Sequence, residues 1–418
     1  MPDIIAVSDD SLDLLLKSSP YVLLDLWAPW CQPCLALAPL LETLARQASD
    51  DFTVAKLNVD LYPNVQQRLA VRGIPGLLLF KKGQEVSRQV GVKTLTQLRI
   101  WLDAEGVALN ETAAAPVPSR TPWPAFYNDA SLHAFLSDRL KKHALAHEIK
   151  PGFMPYWNDN QGTISAAIAH HEDPQVFERI TGLPAGLAFV LENIPFTRPD
   201  EIEALFTVLT PGKDVSRVPL RWIQEVLSDR YFDWSDWLQS TALNALRQQW
   251  LHLAAQHLND EMLPPAAWAQ LVGSTGDEQP FQQPGYGLES SLATILNTLS
   301  PPPEAMDIAA WGGIKIQLGF ALAEMIKLRA GWTPDDRAAP AIRELWFNAR
   351  QQQEPEKKFT ERRLQEMREL WLAENTAFAA REEALYADYA THVQRLNAPL
   401  KESLLHLLAD APAFEAKA

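Results

Sequence analysis

The sequence predicts an α/β domain with a central mixed sheet flanked by helices, followed by a large mainly α-helical region. Three observations carry that reading. The first hundred residues alternate short apolar strands with amphipathic helices, whereas helical spacing dominates from Ala125 onward. Between them, residues 111–124 are rich in Ala and Pro and lack an apolar period, as a semi-extended spacer does. Both cysteines of the 418-residue chain, Cys31 and Cys34, sit two residues apart where a strand gives way to a helix. The expected division is therefore a domain over 1–110, a linker over 111–124 and a helical part over 125–418, itself divided near residue 300.

In order, residues 4–7 read as a short strand, and Ser8 caps a helix over about 9–17. Tyr21-Val-Leu-Leu-Asp-Leu-Trp27 is a buried strand. The helix after it, over 35–48, places Leu37, Leu40, Leu41 and Leu44 on one side. Residues 52–59 alternate as a strand, 62–70 form a short helix, and Gly73-Ile-Pro-Gly76 breaks the chain ahead of an apolar strand at 77–80. Lys82-Gly83 makes a hairpin turn into a strand over 85–90, Gly91 interrupts, and an amphipathic helix covers 94–105. The order is β-α-β-α-β-α-β-β-α, with the cysteines in the second βα turn.

That location has chemical consequences. The first turn of a helix presents backbone N–H groups without intrahelical partners, and its positive dipole end favours a thiolate. Pro33 suits a helix start, because its fixed φ fits and its missing N–H removes no needed bond. Cys31 is then the exposed attacking sulfur, and Cys34, one turn further in, reaches back to close a disulfide. Half a zinc site would look similar, but no second Cys/His pair lies nearby at metal-binding spacing. A purely structural disulfide is disfavoured, because so short a loop restricts the unfolded chain only weakly.

Composition narrows the class. With 47% hydrophobic and 21% charged residues, the chain has the make-up of a soluble globular protein of two or three domains. Net charge is −15, of which residues 1–110 carry −2 and the remainder −13. Neither part has the basic excess of a nucleic-acid binder. The opening Met-Pro-Asp-Ile-Ile lacks the pattern of a secretory signal. The apolar run over 308–328 contains Lys315, Gln317, Glu324 and Lys327, so a buried helix is expected rather than a membrane span. A cytoplasmic location is expected, where a lone Cys-x-x-Cys is catalytic.

Residues 1 to about 108 resemble the thioredoxin family. The matching residues are Asp25, Trp27, Ala28, Trp30, Cys31, Pro33, Cys34, Pro39, Lys56, Gly83 and Gly91, with Arg72-Gly-Ile-Pro75 ahead of an apolar strand. The resemblance implies the thioredoxin fold, disulfide reduction, and regeneration by thioredoxin reductase with NADPH, with no bound cofactor and no metal. Asp25, between Leu24 and Leu26, is expected to be buried below the cysteines, with a raised pKa, exchanging a proton with the resolving thiol; the competing reading is a strand-end cap. Lys56 on the neighbouring strand is placed to tune that acid. Pro75 occupies the family's cis-proline position, leaving backbone groups of Ile74 free to pair with an extended substrate. Trp30, Ile74 and Gly91 would rim that groove, although core packing also accounts for Trp30. Gln32 replaces the family's usual glycine between the cysteines, beside Pro33 in the substrate-facing loop. Pro29 stands at an often polar position, and Gly76 replaces a common threonine.

Beyond the linker, helices are expected over 132–145, 200–209 and 219–227. Trp234, Trp237, Leu238, Leu243, Leu246, Trp250 and Leu253 mark one long buried stripe. Another helix starts near Pro303 and is interrupted or tightly packed at Gly312-Gly313. A charged stretch over 354–397, with Leu364, Met367, Leu370, Trp371 and Phe378 on its apolar side, reads as a long surface helix or half of a helical hairpin. No tetratricopeptide spacing is evident. The run from Cys34 to Ala45 is also similar to the chaperedoxin class, whose second part is tetratricopeptide helices. His143 and His147 share a helix face but lack a third ligand, so a solvated face is expected; His170-His171 reads as a cap near a helix start. Eleven of the fourteen tryptophans lie beyond residue 110 and are read as packing, with a binding groove as the alternative. Three functional readings stand: a thiol–disulfide oxidoreductase whose helical part selects protein clients, a chaperone-like holdase protecting client thiols, and a redox-independent adaptor.

Overall fold

The computed structural model describes residues 4–29, 31–49, 51–69, 71, 73–90, 95–109, 123–152, 154–275, 285–353 and 361–415. Trp30, Gly91 and most of the linker, 111–122, lie outside the described residues, as do the side chains of Gln32 and Pro33. The chain falls into two compact units. One comprises Met1–Pro219, Pro301–Ile316 and Asp410–Ala418, the other Leu220–Ser300 and Gln317–Ala409.

The first unit opens with β1 (Ile5–Ala6), α1 (Asp9–Ser18), β2 (Tyr21–Trp27), α2 (Gln32–Arg46), β3 (Phe52–Asn58), α3 (Pro63–Arg68), β4 (Gly76–Lys81), β5 (Gln84–Val90) and α4 (Leu95–Ala104). The five strands form one sheet in the order β1-β3-β2-β4-β5. β1, β3 and β2 run parallel, while β4 and β5 are antiparallel to their neighbours. This is the mixed sheet and element order expected from the sequence. β2 is central and buried on both faces, which explains its unbroken apolar run. Side chains alternate across a strand, so Val22, Leu24 and Leu26 pack with Leu12, Leu16 and Val65, while Leu23 packs with Leu37, Leu41, Leu44, Leu98 and Leu102 on the other face.

Local chemistry sets the boundaries. Ser8 caps α1 through a reciprocal pair with Ser11: Ser11 N–H donates to Ser8 Oγ at 3.3 Å, and Ser8 N–H donates to Ser11 Oγ at 2.8 Å. Lys82 and Gly83 have φ of 51° and 80°, the left-handed pair that a two-residue hairpin turn requires. α2 begins three residues earlier than its leucine spacing indicates, because its first turn is Gln-Pro-Cys and carries no periodic apolar residue.

The helical part of the first unit contains α5 (Ala130–Leu145), a ribbon of β6 (Trp157–Asn158) and β7 (Gln161–Gly162), α6 (Ile164–Ala169), α7 (Pro174–Thr181), α8 (Ala185–Asn193) and α9 (Pro199–Val208). Next come α10 (Val218–Leu227), α11 (Trp234–Trp237), α12 (Thr241–Leu258), α13 (Pro265–Thr275), α14 (Gly287–Thr298) and α15 (Ile308–Arg329), then α16 (Pro334–Gln353), α17 (Glu361–Glu374), α18 (Thr376–Ala387) and α19 (Tyr389–Ala409). Three expectations are corrected. The tryptophan stripe is two helices, α11 and α12, broken at Leu238 to Ser240, where Ser240 caps α12. α15 starts at Ile308 rather than near Pro303 and runs through Gly312-Gly313 without interruption; a Cβ at Gly312 would meet Phe189 Cζ at 3.5 Å, an ordinary contact, so tight packing does not demand glycine there either. The described part of the charged stretch is α17, α18 and the start of α19 in succession, with Met367, Trp371 and Phe378 buried and Leu370 exposed. Among the described residues, no helix is long and apolar enough to cross a membrane.

The packing reading of the tryptophans holds for four of them. Trp222, Trp234, Trp250 and Trp311 are fully enclosed, and each indole N–H donates to a backbone carbonyl, of Leu400, Val226, Leu299 and Glu304 respectively. A buried indole with its one donor satisfied is a core residue.

Candidate redox site

β2 delivers the chain to the site. It ends at Trp27, Cys31 N–H turns back to donate to Ala28 O at 3.1 Å, and α2 starts one residue later. Cys31 and Cys34 are joined in a disulfide with Cα atoms 5.3 Å apart. Cys31 therefore stands immediately before the helix and Cys34 within its first turn. Cys34 N–H donates to Cys31 Sγ at 3.2 Å, so one of the orphan amides of the helix start is aimed at the N-terminal sulfur. That amide and the helix dipole stabilise negative charge on Cys31 once the bond is reduced.

Exposure does not distinguish the two sulfurs, which corrects the expectation of an exposed Cys31. In the disulfide form Cys31 is 3% exposed and Cys34 2%. Both belong to the apolar cluster beneath α1 and α3, so what separates them is position on the helix rather than access.

Asp25 lies mid-strand in β2 and is 4% exposed. Its register partners are Lys56 of β3 and Leu77 of β4. Oδ1 has no hydrogen-bond partner, which excludes a capping role for that oxygen. Burial without full compensation raises the carboxyl from its ordinary 3.8 to about 7, and the neighbouring Lys56 ammonium draws it partly back. Lys56 also holds its ammonium 5.6 Å from the centroid of the Trp27 ring, on the face that Asp25 shares. The strand pairing reveals that cation–π contact; the spacing of single residues does not.

The Ile74–Pro75 bond is cis. Ile74 is half-buried against the cluster containing both cysteines, and Pro75 is buried. Gln32 and Pro33 are the first two residues of α2. Among the described residues, no group of three or more His, Cys, Asp or Glu is arranged to hold a metal ion.

A disulfide spanning a helix start, on a mixed five-stranded sheet with a buried acid in the preceding strand, defines a thiol–disulfide oxidoreductase. The comparisons make the class specific. The thioredoxin family profile matches residues 3–104, and the C-terminal region matches no family. Thioredoxin of Acidithiobacillus ferridurans is 48% identical over 103 residues, which are 24% of this chain and 95% of that protein. Thioredoxin of Mycobacterium tuberculosis (strain ATCC 25618 / H37Rv) is 48% identical over 91 residues, 21% of this chain and 78% of that one. Among solved structures, a mutant thioredoxin from Halobacterium salinarum NRC-1 is 35% identical, covering 25% of this chain and 90% of its own, with a TM-score of 0.24. The chain belongs to the thioredoxin family through its N-terminal domain.

Proposed function

We propose that the protein reduces disulfides of client proteins in the cytoplasm, and that residues 125–418 select the client. The Cys34 amide aimed at Cys31 Sγ is the observation that carries the assignment of roles. Cys31 thiolate attacks one sulfur of a client disulfide, that bond breaks, and the departing client sulfur takes a proton. Cys34 then attacks Cys31 Sγ, releasing the second client thiolate and leaving the Cys31–Cys34 disulfide. Two electrons pass from the pair to the client. Asp25, whose carboxyl titrates near neutrality, accepts the Cys34 proton in the resolving step. Client contact is assigned to Ile74, Pro75, Gln32, Pro33, Trp30 and Gly91 on their match to the family's substrate-binding positions. Regeneration by thioredoxin reductase with NADPH follows from family membership, and a reducing compartment is where such a pair turns over.

The client-selecting role of the helical part rests on the redox machinery lying within residues 3–104, which leaves the remainder free for recognition. The test is a pair of variants in a reductant-coupled assay. Cys31→Ser abolishes turnover, whereas Cys34→Ser accumulates mixed disulfides with clients, visible as high-mass bands that dithiothreitol removes. Turnover in Cys31→Ser at the parent rate overturns the mechanism. Clients trapped equally by residues 1–110 alone overturn the selecting role and leave the chemistry intact.

A further inference from the structure

The last turn of α5 and the end of α6 bring together two histidines that lie 27 residues apart in sequence. His143 Nε2 and His170 Nε2 face each other at 2.7 Å. His143 Nδ1 is held by Glu148 Oε2 at 2.6 Å. His147, on the expected metal-ligand spacing, is not involved: it lies past the helix end with φ of 56°. His170 terminates α6 in the left-handed region, φ 52°, four residues ahead of the start of α7, and its ring meets that of His143 at the end of α5. Trp157 of β6 stacks on His170, with ring centroids 4.7 Å apart and planes within 10°, and meets His143 edge-on at 5.0 Å. Both imidazoles are thus fixed in orientation by a carboxylate or an aromatic face.

We propose that His143 and His170 form a two-imidazole site for a late first-row divalent metal ion of the Zn²⁺ and Cu²⁺ class. The carboxylate–histidine pair is the outer-shell arrangement that fixes a ligand tautomer: Glu148 Oε2 accepts a hydrogen bond from His143 Nδ1–H, so the Nε2 lone pair of His143 points at His170. Without a metal, that lone pair accepts a hydrogen bond from His170 Nε2–H. A metal takes the proton's place when His170 moves its proton to Nδ1, with no net proton change for the neutral pair. Imidazole–zinc bonds of about 2.0 Å at a tetrahedral angle set the two nitrogens about 3.3 Å apart, so the rings separate by roughly 0.6 Å. The Arg139 and Glu148 charges both act on His170. Arg139 also opposes a dication, and Glu148 favours one. No third His, Cys, Asp or Glu completes the group among the described residues, so water fills the remaining positions.

The test is calorimetric titration of Zn²⁺ into the full chain at neutral pH, with the Cys31–Cys34 pair oxidised so that no thiolate competes. The expected result is one site per chain, weakened about tenfold or more in His143→Ala and in His170→Ala and unchanged in His147→Ala and His171→Ala. Glu148→Ala weakens it, Glu148→Gln restores part of the loss, and Arg139→Gln tightens it. Should the histidine variants not fold, Co²⁺ added to the unaltered protein broadens the imidazole signals of His143 and His170 before those of the other histidines. Absence of a site, a site indifferent to His170→Ala, or Co²⁺ broadening elsewhere overturns the proposal and leaves a hydrogen-bonded pair alone.

Discussion

Asp25 has an energetic signature separate from catalysis. Its folded pKa, about 7, lies above the value of an unfolded aspartate, so the native state holds the proton more tightly. The stability from that proton is complete below about pH 4 and is lost as pH rises through the folded pKa. Asp25→Asn removes the ionisation. In the disulfide form the variant should therefore gain up to about 4 kcal/mol above pH 7, and the gain should vanish near pH 4. Urea titrations across that range measure it, and a gain independent of pH would refute the assignment. Lys56→Met removes the charge that draws the carboxyl down, so the Asp25 titration followed by carboxyl ¹³C shifts should move further above 7. Burial of Asp25 was legible because Leu24 and Leu26 flank it in an unbroken apolar strand. The pairing of His143 with His170 was not, because only the tertiary fold brings the end of α5 to the end of α6.

Elements were legible wherever one period or one turn decides them. β2, the hairpin at Lys82-Gly83 and the capped start of α1 stand where an unbroken apolar run, glycine and serine place them. Gly83 has φ of 80°, and a Cβ there would sit 3.3 Å from Leu16 O. Gly83→Ala should accordingly lower stability by about 1 kcal/mol or more in thermal unfolding, without moving the disulfide chemistry. The α11–α12 break is hidden only if the stripe is taken as one helix, because the five-residue step from Leu238 to Leu243 takes it out of helical phase across Ser240. Arg247 was also hidden: it lies within that stripe yet is fully buried, its guanidinium donating to Leu227 O, Asn244 Oδ1 and Asp229 and packing 5.8 Å from the Trp234 ring. Arg247→Met leaves the Leu227 carbonyl without that donor, and we expect a loss of about 2 kcal/mol in denaturant unfolding.

At the scale of the whole molecule, the question is whether the redox domain depends on the rest of the chain. Its sheet closes within residues 5–90, and α4 completes the second face by residue 104. The matched region accounts for 95% of the length of the Acidithiobacillus ferridurans relative, so the same span of sequence constitutes nearly an entire protein there. Charge divides the same way, with −2 on residues 1–110 and −13 beyond, so the redox domain is not held by a strong opposite charge on the remainder. Residues 1–110 expressed alone should fold cooperatively, with coincident circular-dichroism and fluorescence transitions. They should also reduce a small aromatic disulfide at the rate of the full chain, because the Cys31–Cys34 pair lies wholly within them. A protein client selected by residues 125–418 should be reduced more slowly by the fragment than by the full chain. Equal rates on both substrates would assign the helical part a role unconnected with client choice. A fragment that is unfolded or inactive on the small disulfide would show that the N-terminal domain is not autonomous here, whatever its relatives are.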